Sequence, residues 1–161
     1  MALTTTIGGT ASDSYVTLAE YQARATAMGW NLHGSDAKEE QDLRRAAVAI
    51  DSTYSFVGIQ QYQYQSRDWP RLVRDLVDDW PVNPDTIPQA VKDAQMEMAF
   101  LIQGGADPLA TTNGSITMEE IGPISREYAA PKSAVARFTA VERLLRPYLA
   151  AGLGQPGMVR A

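Results

Sequence analysis

Ser35-Asp-Ala-Lys-Glu-Glu-Gln-Asp-Leu-Arg-Arg-Ala-Ala-Val-Ala-Ile-Asp-Ser-Thr-Tyr-Ser-Phe-Val57 is the stretch that decides the fold class. Leu43, Ala46, Ala47, Ile50, Tyr54 and Val57 recur at spacings of three and four, the period of one helix face. Ser35 stands where an N-cap is needed. Asp36, Glu39 and Glu40 fill the opening turn, where carboxylates meet the positive end of the helix dipole. The pattern predicts a helix over about residues 36–56, stopped by Gly58, as the central element of a helical core. Glu39, Glu40 and Asp42 read as helix-start and solvated side chains, with Arg44 and Arg45 behind them.

Outward from this helix the same rules place its neighbours. Thr17-Leu-Ala-Glu20 has capping-box spacing, so a helix is predicted from Leu18 to Met28, with Gly29 as its left-handed stop. Its apolar side is Leu18, Tyr21, Ala25 and Met28, and Tyr15 or Val16 can staple the entry. Pro88 suits the first position of a third helix, whose inner face is Val91, Ala94, Gln95, Met98, Leu101 and Ile102 and whose stop is Gly104-Gly105. A last helix is expected from Thr139 to Ala150 with Val141, Leu144, Leu145 and Tyr148 inside, kinked or shortened by Pro147. Between the long helices, Tyr62 and Tyr64 alternate with glutamine as in a short strand or extended loop. Trp69-Pro70 and Trp80-Pro81 each read as an extended or turn dipeptide. Leu72–Val77 reads as a single helical turn. Ser115–Ile121 and Ile124–Tyr128 flank Gly122-Pro123 as a β-hairpin, and two strands alone are marginal in water, so this hairpin needs a partner surface. The expected fold is mainly α: a compact bundle of about four helices with a projecting β-hairpin. Its parts are a flexible arm at 1–13, a helical domain at 14–150 with the hairpin at about 115–128, and a C-terminal tail at 151–161.

Composition narrows the function classes. The chain has 161 residues, 45% hydrophobic and 20% charged, which fits one domain with a core. The absence of cysteine excludes a disulfide scaffold, a thiolate metal site and a cysteine nucleophile. No signal-peptide pattern opens the chain, and its apolar runs fall well short of the roughly 18 residues of a membrane span, so a soluble protein is expected. The net charge of −5 is uneven: residues 1–125 hold 8 basic and 17 acidic side chains, whereas residues 126–161 hold 6 basic and 2 acidic. Complementary potentials of this kind can orient neighbouring copies or an acidic partner.

A search for chemistry returns little. His33 is the lone histidine and sits in the Gly29–Gly34 loop; it has no second histidine for a metal pair and reads as a solvated or locally bonded side chain. No nucleophile-elbow pattern surrounds a serine, and no glycine pair is followed by the lysine of a phosphate loop. Asp75, Asp78 and Asp79 lie near Arg71 and Arg74 at spacings that suit exposed ion pairs; they lack calcium-loop spacing. A metal-dependent nuclease using them is a remote rival. Tyr62, Tyr64, Trp69 and Trp80, interleaved with Arg67 and Arg71, can stack single-stranded bases, against the preferred reading that the tryptophans plug the core. The expectation is a protein that is not an enzyme and carries no cofactor or metal.

Taken in order, several motifs resemble one family. They are Ser12-Asp-Ser-Tyr-Val-Thr-Leu-Ala-Glu-Tyr21 with Gly29-Trp30; Glu40-Gln-Asp-Leu-Arg-Arg-Ala-Ala47 with Ala49-Ile50-Asp51; and Trp69-Pro70-Arg71. Ile87-Pro88-Gln-Ala-Val-Lys-Asp-Ala-Gln-Met-Glu-Met-Ala99, Ile121-Gly-Pro-Ile-Ser125, Ala140-Val141 and Leu144-Leu145 complete the set. From about residue 12 to 150 the chain resembles the phage proteins described as DnaT-like single-stranded-DNA-binding proteins, which are related to head–tail connector or head-completion adaptors. It departs from them in a longer acidic insert, Asp75–Trp80. The resemblance implies a structural virion protein, made in the host cytoplasm and placed in the neck. It implies a homo-oligomeric ring, commonly of about twelve copies, that caps the portal, extends the DNA channel without specific DNA binding and docks the next neck or tail protein. Under this reading Ile116, Met118, Ile121, Ile124, Arg126 and Tyr128 form an inter-subunit hairpin surface. Leu153, Met158, Val159 and Arg160 belong to a tail that docks on the portal. The alternatives are a single-stranded-DNA-binding accessory protein and another position in the neck, such as a head-completion or tail-terminator subunit.

Overall fold

A computed structural model describes residues 2–74, 77, 80–109, 118–121, 124–127 and 138–150. Helix α1 (Leu18–Met28) opens with the expected capping box. The Thr17 hydroxyl accepts from the Glu20 amide at 3.2 Å, and the Glu20 carboxylate accepts from the Thr17 amide at 2.7 Å. Gly29 ends α1 with φ 69°, a left-handed backbone that costs glycine nothing. Tyr21 and Ala25 are buried and Leu18 is half-buried, but Met28, expected inside, is 55% exposed in the last turn of the helix.

Helix α2 (Asp36–Thr53) is the central element, packed between α1 and helix α3 (Gln89–Gln103). Leu43, Ala46, Ala47 and Ile50 are fully buried, as the periodicity requires, and Ala49 joins them. Three details differ from expectation. The Ser35 side chain makes no cap bond. Glu39 is not a solvated side chain either: it is 2% exposed and accepts from Gln22 Nε2 at 2.9 Å and the Gly34 amide at 3.2 Å, holding the α1–α2 connection. The helix also stops at Thr53, short of 56. Tyr54 turns extended (φ −111°, ψ 136°), which buries Phe56 and lets residues 55–57 pair with 148–150 through the Val57 amide to the Tyr148 carbonyl (2.9 Å) and the Ala150 amide to the Ser55 carbonyl (2.8 Å). A long-range pairing has overridden the local helical period.

The two proline-flanked helices keep their predicted faces. In α3, Pro88 is the N-cap residue rather than the first helical one. Val91, Ala94, Gln95, Met98 and Ile102 are buried together with Met96 and Ala99, and Leu101 is half-buried. Helix α4 (Thr139–Leu145) buries Val141 and Leu145 against α3, with Leu144 and Tyr148 partly buried. A 3-10 turn over Arg146–Tyr148 containing Pro147 shortens it, one of the two outcomes proline allowed.

Two small antiparallel ribbons complete the described residues. Strand β1 (Ile59–Gln60) pairs with β2 (Arg71–Leu72) in the register Ile59↔Leu72 and Gln60↔Arg71. Leu72 therefore lies in a strand instead of opening the expected helical turn, and Tyr62 and Tyr64 lie in the connecting turns rather than in a strand. Gly58 has φ 75°, and a Cβ there would run into the Leu72 carbonyl, so glycine is what lets β1 approach β2. Strand β3 (Met118–Ile121) pairs with β4 (Ile124–Glu127) from Met118↔Glu127 to Ile121↔Ile124, the hairpin that the sequence predicts. The fold is mainly α, with four helices and this hairpin. Residues 2–13, expected as a loose arm, run as a loop: the Asp13 carboxylate accepts from the Thr4 amide (2.7 Å), and the Gly9 carbonyl accepts from the Ser66 amide (3.1 Å). No helix among the described residues is long and apolar enough to cross a membrane.

The Gln95 amide, fully buried, bonds three parts of the chain. Its Nε2 donates to the Leu43 carbonyl and to Ser14 Oγ, both at 2.8 Å, and its Oε1 accepts from the Tyr15 amide at 2.9 Å. Gln95→Met keeps the volume but strands the Tyr15 N–H. The expected loss is about 1–3 kcal/mol of unfolding free energy, read as a lower denaturant midpoint with an unchanged m-value; an unaltered midpoint would show the network to be idle.

Candidate functional site

The region with the most concentrated polar chemistry is the segment from Tyr54 to Val73, built on the Trp69-Pro70-Arg71 motif. Trp69 is 1% exposed, its ring met edge-on by Phe56 at 5.7 Å and by Tyr148 at 5.6 Å. The Trp69–Pro70 peptide bond is cis. Arg71 does not face solvent: its guanidinium donates to the carbonyls of Gly58 (2.7 Å), Val57 (2.9 Å), Asp68 (3.3 Å) and Phe56 (3.4 Å). A planar fork of five donors suits such a cluster of carbonyls. Gln65, also buried, donates to the Arg67 and Pro70 carbonyls (2.7 and 3.0 Å) and accepts from the Tyr62 amide (3.0 Å).

A second layer fastens this segment to the helices. The Tyr15 hydroxyl donates to the Asp51 carboxylate and accepts from the amides of Asp68 (3.1 Å) and Trp69 (3.4 Å). Arg67 Nη1 stands 3.3 Å from the other Asp51 oxygen. Burial pushes Asp51 up to about 6, because the Tyr15 hydrogen bond and the Arg67 charge offset only part of its lost hydration. Burial first, and then the Asp51 charge, raise the Tyr15 hydroxyl well above the usual phenol range.

This geometry divides the base-stacking constellation of Tyr62, Tyr64, Trp69 and Trp80 with Arg67 and Arg71. Trp69 and both arginines are spent inside the molecule. Tyr62 donates to Asp85 at 3.2 Å, and only Tyr64 and Trp80, at 73% and 75%, stand well out in solvent. Trp30 is no free platform either: Phe100 stacks on it at 4.5 Å, and the Arg24 guanidinium lies 5.8 Å from its centroid. Arg24, Arg44, Arg45 and Lys92 are in ion pairs with Asp93, Asp13, Asp107 and Glu20. Among the described residues Lys38, Arg74, Arg143 and Arg146 are the exposed cations with no such partner. His33 is locally bonded, with Nε2 3.1 Å from Asp42. No group of three metal-ligating side chains occurs among the described residues, and Asp75, Asp78 and Asp79 lie outside them.

Of the expected assembly surface, the register sets Ile121 opposite Ile124 and Glu119 opposite Arg126. Met118 stands opposite Glu127 in the same ladder. Ile116, Tyr128, Leu153, Met158, Val159 and Arg160 lie outside the described residues. Two features had escaped the sequence reading. One is a cavity of about 170 Å³ lined by Val77, Trp80, Val82, Pro88 and Tyr148. The other is the exposed cross-strand pair Ile59 and Leu72, at 63% and 39%; the sequence suggests a single helical turn from Leu72, and nothing local signals the pairing.

The Asp51 site has a consequence for stability. Between 3.8, the ordinary carboxyl value, and about 6, the folded chain holds a proton that the unfolded chain has lost. Stability from this site is therefore present below that window and falls as pH rises through it, by on the order of 3 kcal/mol. Denaturant titrations of the parent and Asp51→Asn should converge at one end only, with the parent losing ground to the variant as pH rises from 4 to 7. A constant difference across that range would contradict the buried, high-affinity carboxyl.

No curated protein and no solved structure matches the chain. A family model described as putative DnaT-like ssDNA binding protein matches residues 1–161. The chain belongs to that family.

Proposed function

We propose that the chain is a structural, non-catalytic subunit of a tailed-phage virion: a head-to-tail adaptor that forms a homo-oligomeric ring of about twelve copies below the portal. The ring extends the DNA channel and offers a platform to the next neck or tail protein. The observation that carries this reading is the β3–β4 hairpin, whose strands pair only with each other among the described residues. An isolated two-stranded sheet is marginal in water, and a hairpin that completes its packing on the next copy in one direction gives head-to-tail contacts, which form a ring when the rotation closes. Charge supports the same arrangement. The first 125 residues hold 17 acidic against 8 basic side chains, so a lumen formed from them repels phosphate and lets DNA slide.

A second reading follows from the family's description, single-stranded-DNA binding, and Tyr64 and Trp80 give it two exposed rings. It is the weaker one because Trp69, Arg67 and Arg71 are engaged in the interior. Electron microscopy of the purified chain, alone and mixed with its portal, separates the two when run beside fluorescence anisotropy on a labelled oligonucleotide at low salt. The adaptor reading expects rings seated on the portal and no anisotropy change. A lasting monomer that ignores the portal, with salt-dependent oligonucleotide binding weakened at least tenfold by Tyr64→Ala or Trp80→Ala, would replace it with the second reading.

A further inference from the structure

The cavity of about 170 Å³ is walled by Trp80, Tyr148, Pro81, Pro88, Val82 and Asn83. All of its lining except Tyr148 comes from residues 77–88, the approach to α3, a stretch with no part in the ring reading. The backbone of Trp80 is held by Val77, each amide donating to the other's carbonyl at 2.9 and 3.0 Å. Its side chain nevertheless stands 75% exposed. The other two tryptophans are packed, Trp30 on Phe100 and Trp69 between Phe56 and Tyr148. An indole left in solvent beside a concave wall of prolines and a tyrosine is the kind of surface that anchors a protein contact.

Size and hydrogen bonding narrow what fits. The volume is below the roughly 300–1,000 Å³ of small-molecule sites, so it suits a side chain of a larger partner better than a whole cofactor. Two donors on the wall have no partner among the described residues, the Trp80 indole N–H and the Asn83 Nδ2 group. Asn83 Oδ1 already accepts from the Asp85 amide at 2.9 Å, and the Thr86 hydroxyl donates to the Asn83 carbonyl at 3.3 Å. Free donors among aromatic and proline surfaces complement a segment in polyproline II, whose carbonyls are unpaired and whose prolines bring no N–H to satisfy.

Charge sets what flanks that segment. Residues 75–88 hold four aspartates (Asp75, Asp78, Asp79, Asp85) and no lysine or arginine. Asp85, among the described residues, is exposed. Arg146, in the turn that carries Tyr148, offsets one of the four charges. The balance repels phosphate and attracts basic side chains, which favours a basic peptide over a nucleic acid. We infer that the cavity is a docking site for an extended, proline-bearing and basic segment of a partner protein. A proline ring sits against Trp80 and Tyr148, the Trp80 and Asn83 donors bond the carbonyls beside it, and a lysine or arginine flanks it. The site does not require ring formation, so its failure leaves the adaptor reading standing.

The probe is a fluorescein-labelled peptide of six prolines with two lysines at each end, titrated with the full chain and read by anisotropy. The expected dissociation constant is below about 1 mM, with tryptophan emission moving to the blue. Replacing the prolines by alanine should weaken binding at least tenfold. Glutamate in place of lysine should cost a similar factor at low salt, and the difference should fade at about 0.5 M salt. Trp80→Ala should abolish binding with an unchanged circular dichroism spectrum, Trp80→Phe should keep part of it, and Tyr64→Ala should change nothing. No anisotropy change at about 1 mM protein, equal binding of the alanine peptide, or binding that survives Trp80→Ala would overturn the site. An unlabelled oligonucleotide that displaces the peptide would overturn it in favour of nucleic-acid binding. A Trp80 shielded from acrylamide in the parent, and uncovered when residues 151–161 are removed, would assign the cavity to the chain's own end and also overturn a partner.

Discussion

A single buried amide holds the described fold together. Gln95, in the middle of α3, satisfies its carbonyl and both N–H groups on the Tyr15 amide, Ser14 Oγ and the Leu43 carbonyl. Ser14 Oγ in turn donates to the Val16 carbonyl at 2.7 Å. An amide in a fully buried position is costly unless every polar atom finds a partner, and once satisfied it admits few alternative arrangements. The three helices could slide along their apolar faces with little penalty from packing alone. The amide fixes their register, and with it the position of Tyr15.

Tyr15 passes that constraint on. Its backbone is tied to α3, and its hydroxyl reaches Asp51 of α2 and the amides of Asp68 and Trp69. Trp69 is thereby driven between Phe56 and Tyr148, and Arg71 gathers the carbonyls of residues 56–58. The residues that look most like a nucleic-acid platform in the sequence are thus the means by which a long connection is folded onto a helical body. Among the described residues Ile59 and Leu72 are left exposed side by side on the β1–β2 ribbon.

The sequence was most informative where the controlling physics is local. The capping box of Thr17 and Glu20, the left-handed Gly29, the α3 stripe through Gln95 and the β3–β4 pairing each depend on residues close to one another in the chain. What escaped it involves partners far apart in the chain. Glu39 resembles any acidic residue in an opening turn until Gln22 and the Gly34 amide close over it. The helix over 36–53 gave no sign of stopping before 56, because the competing partner of Phe56 is Leu149. The core role of Trp69 was readable from its apolar bulk, but its fastening by Tyr15 and Asp51 was not. Ile59 and Leu72 become a pair only when 58–60 meets 71–72, so the exposed pair could not be read from either segment alone.

The body is set by Gln95 and Trp69, and under the proposed adaptor role the hairpin acquires its stability from a neighbour. Hydrogen–deuterium exchange on the isolated and the assembled chain tests that division most directly. The amides of Met118–Ile121 and Ile124–Glu127 should exchange rapidly in the monomer and become strongly protected on assembly, while those of Gln89–Gln103 stay protected in both. Hairpin amides already protected in the monomer, or unchanged on assembly, would contradict it.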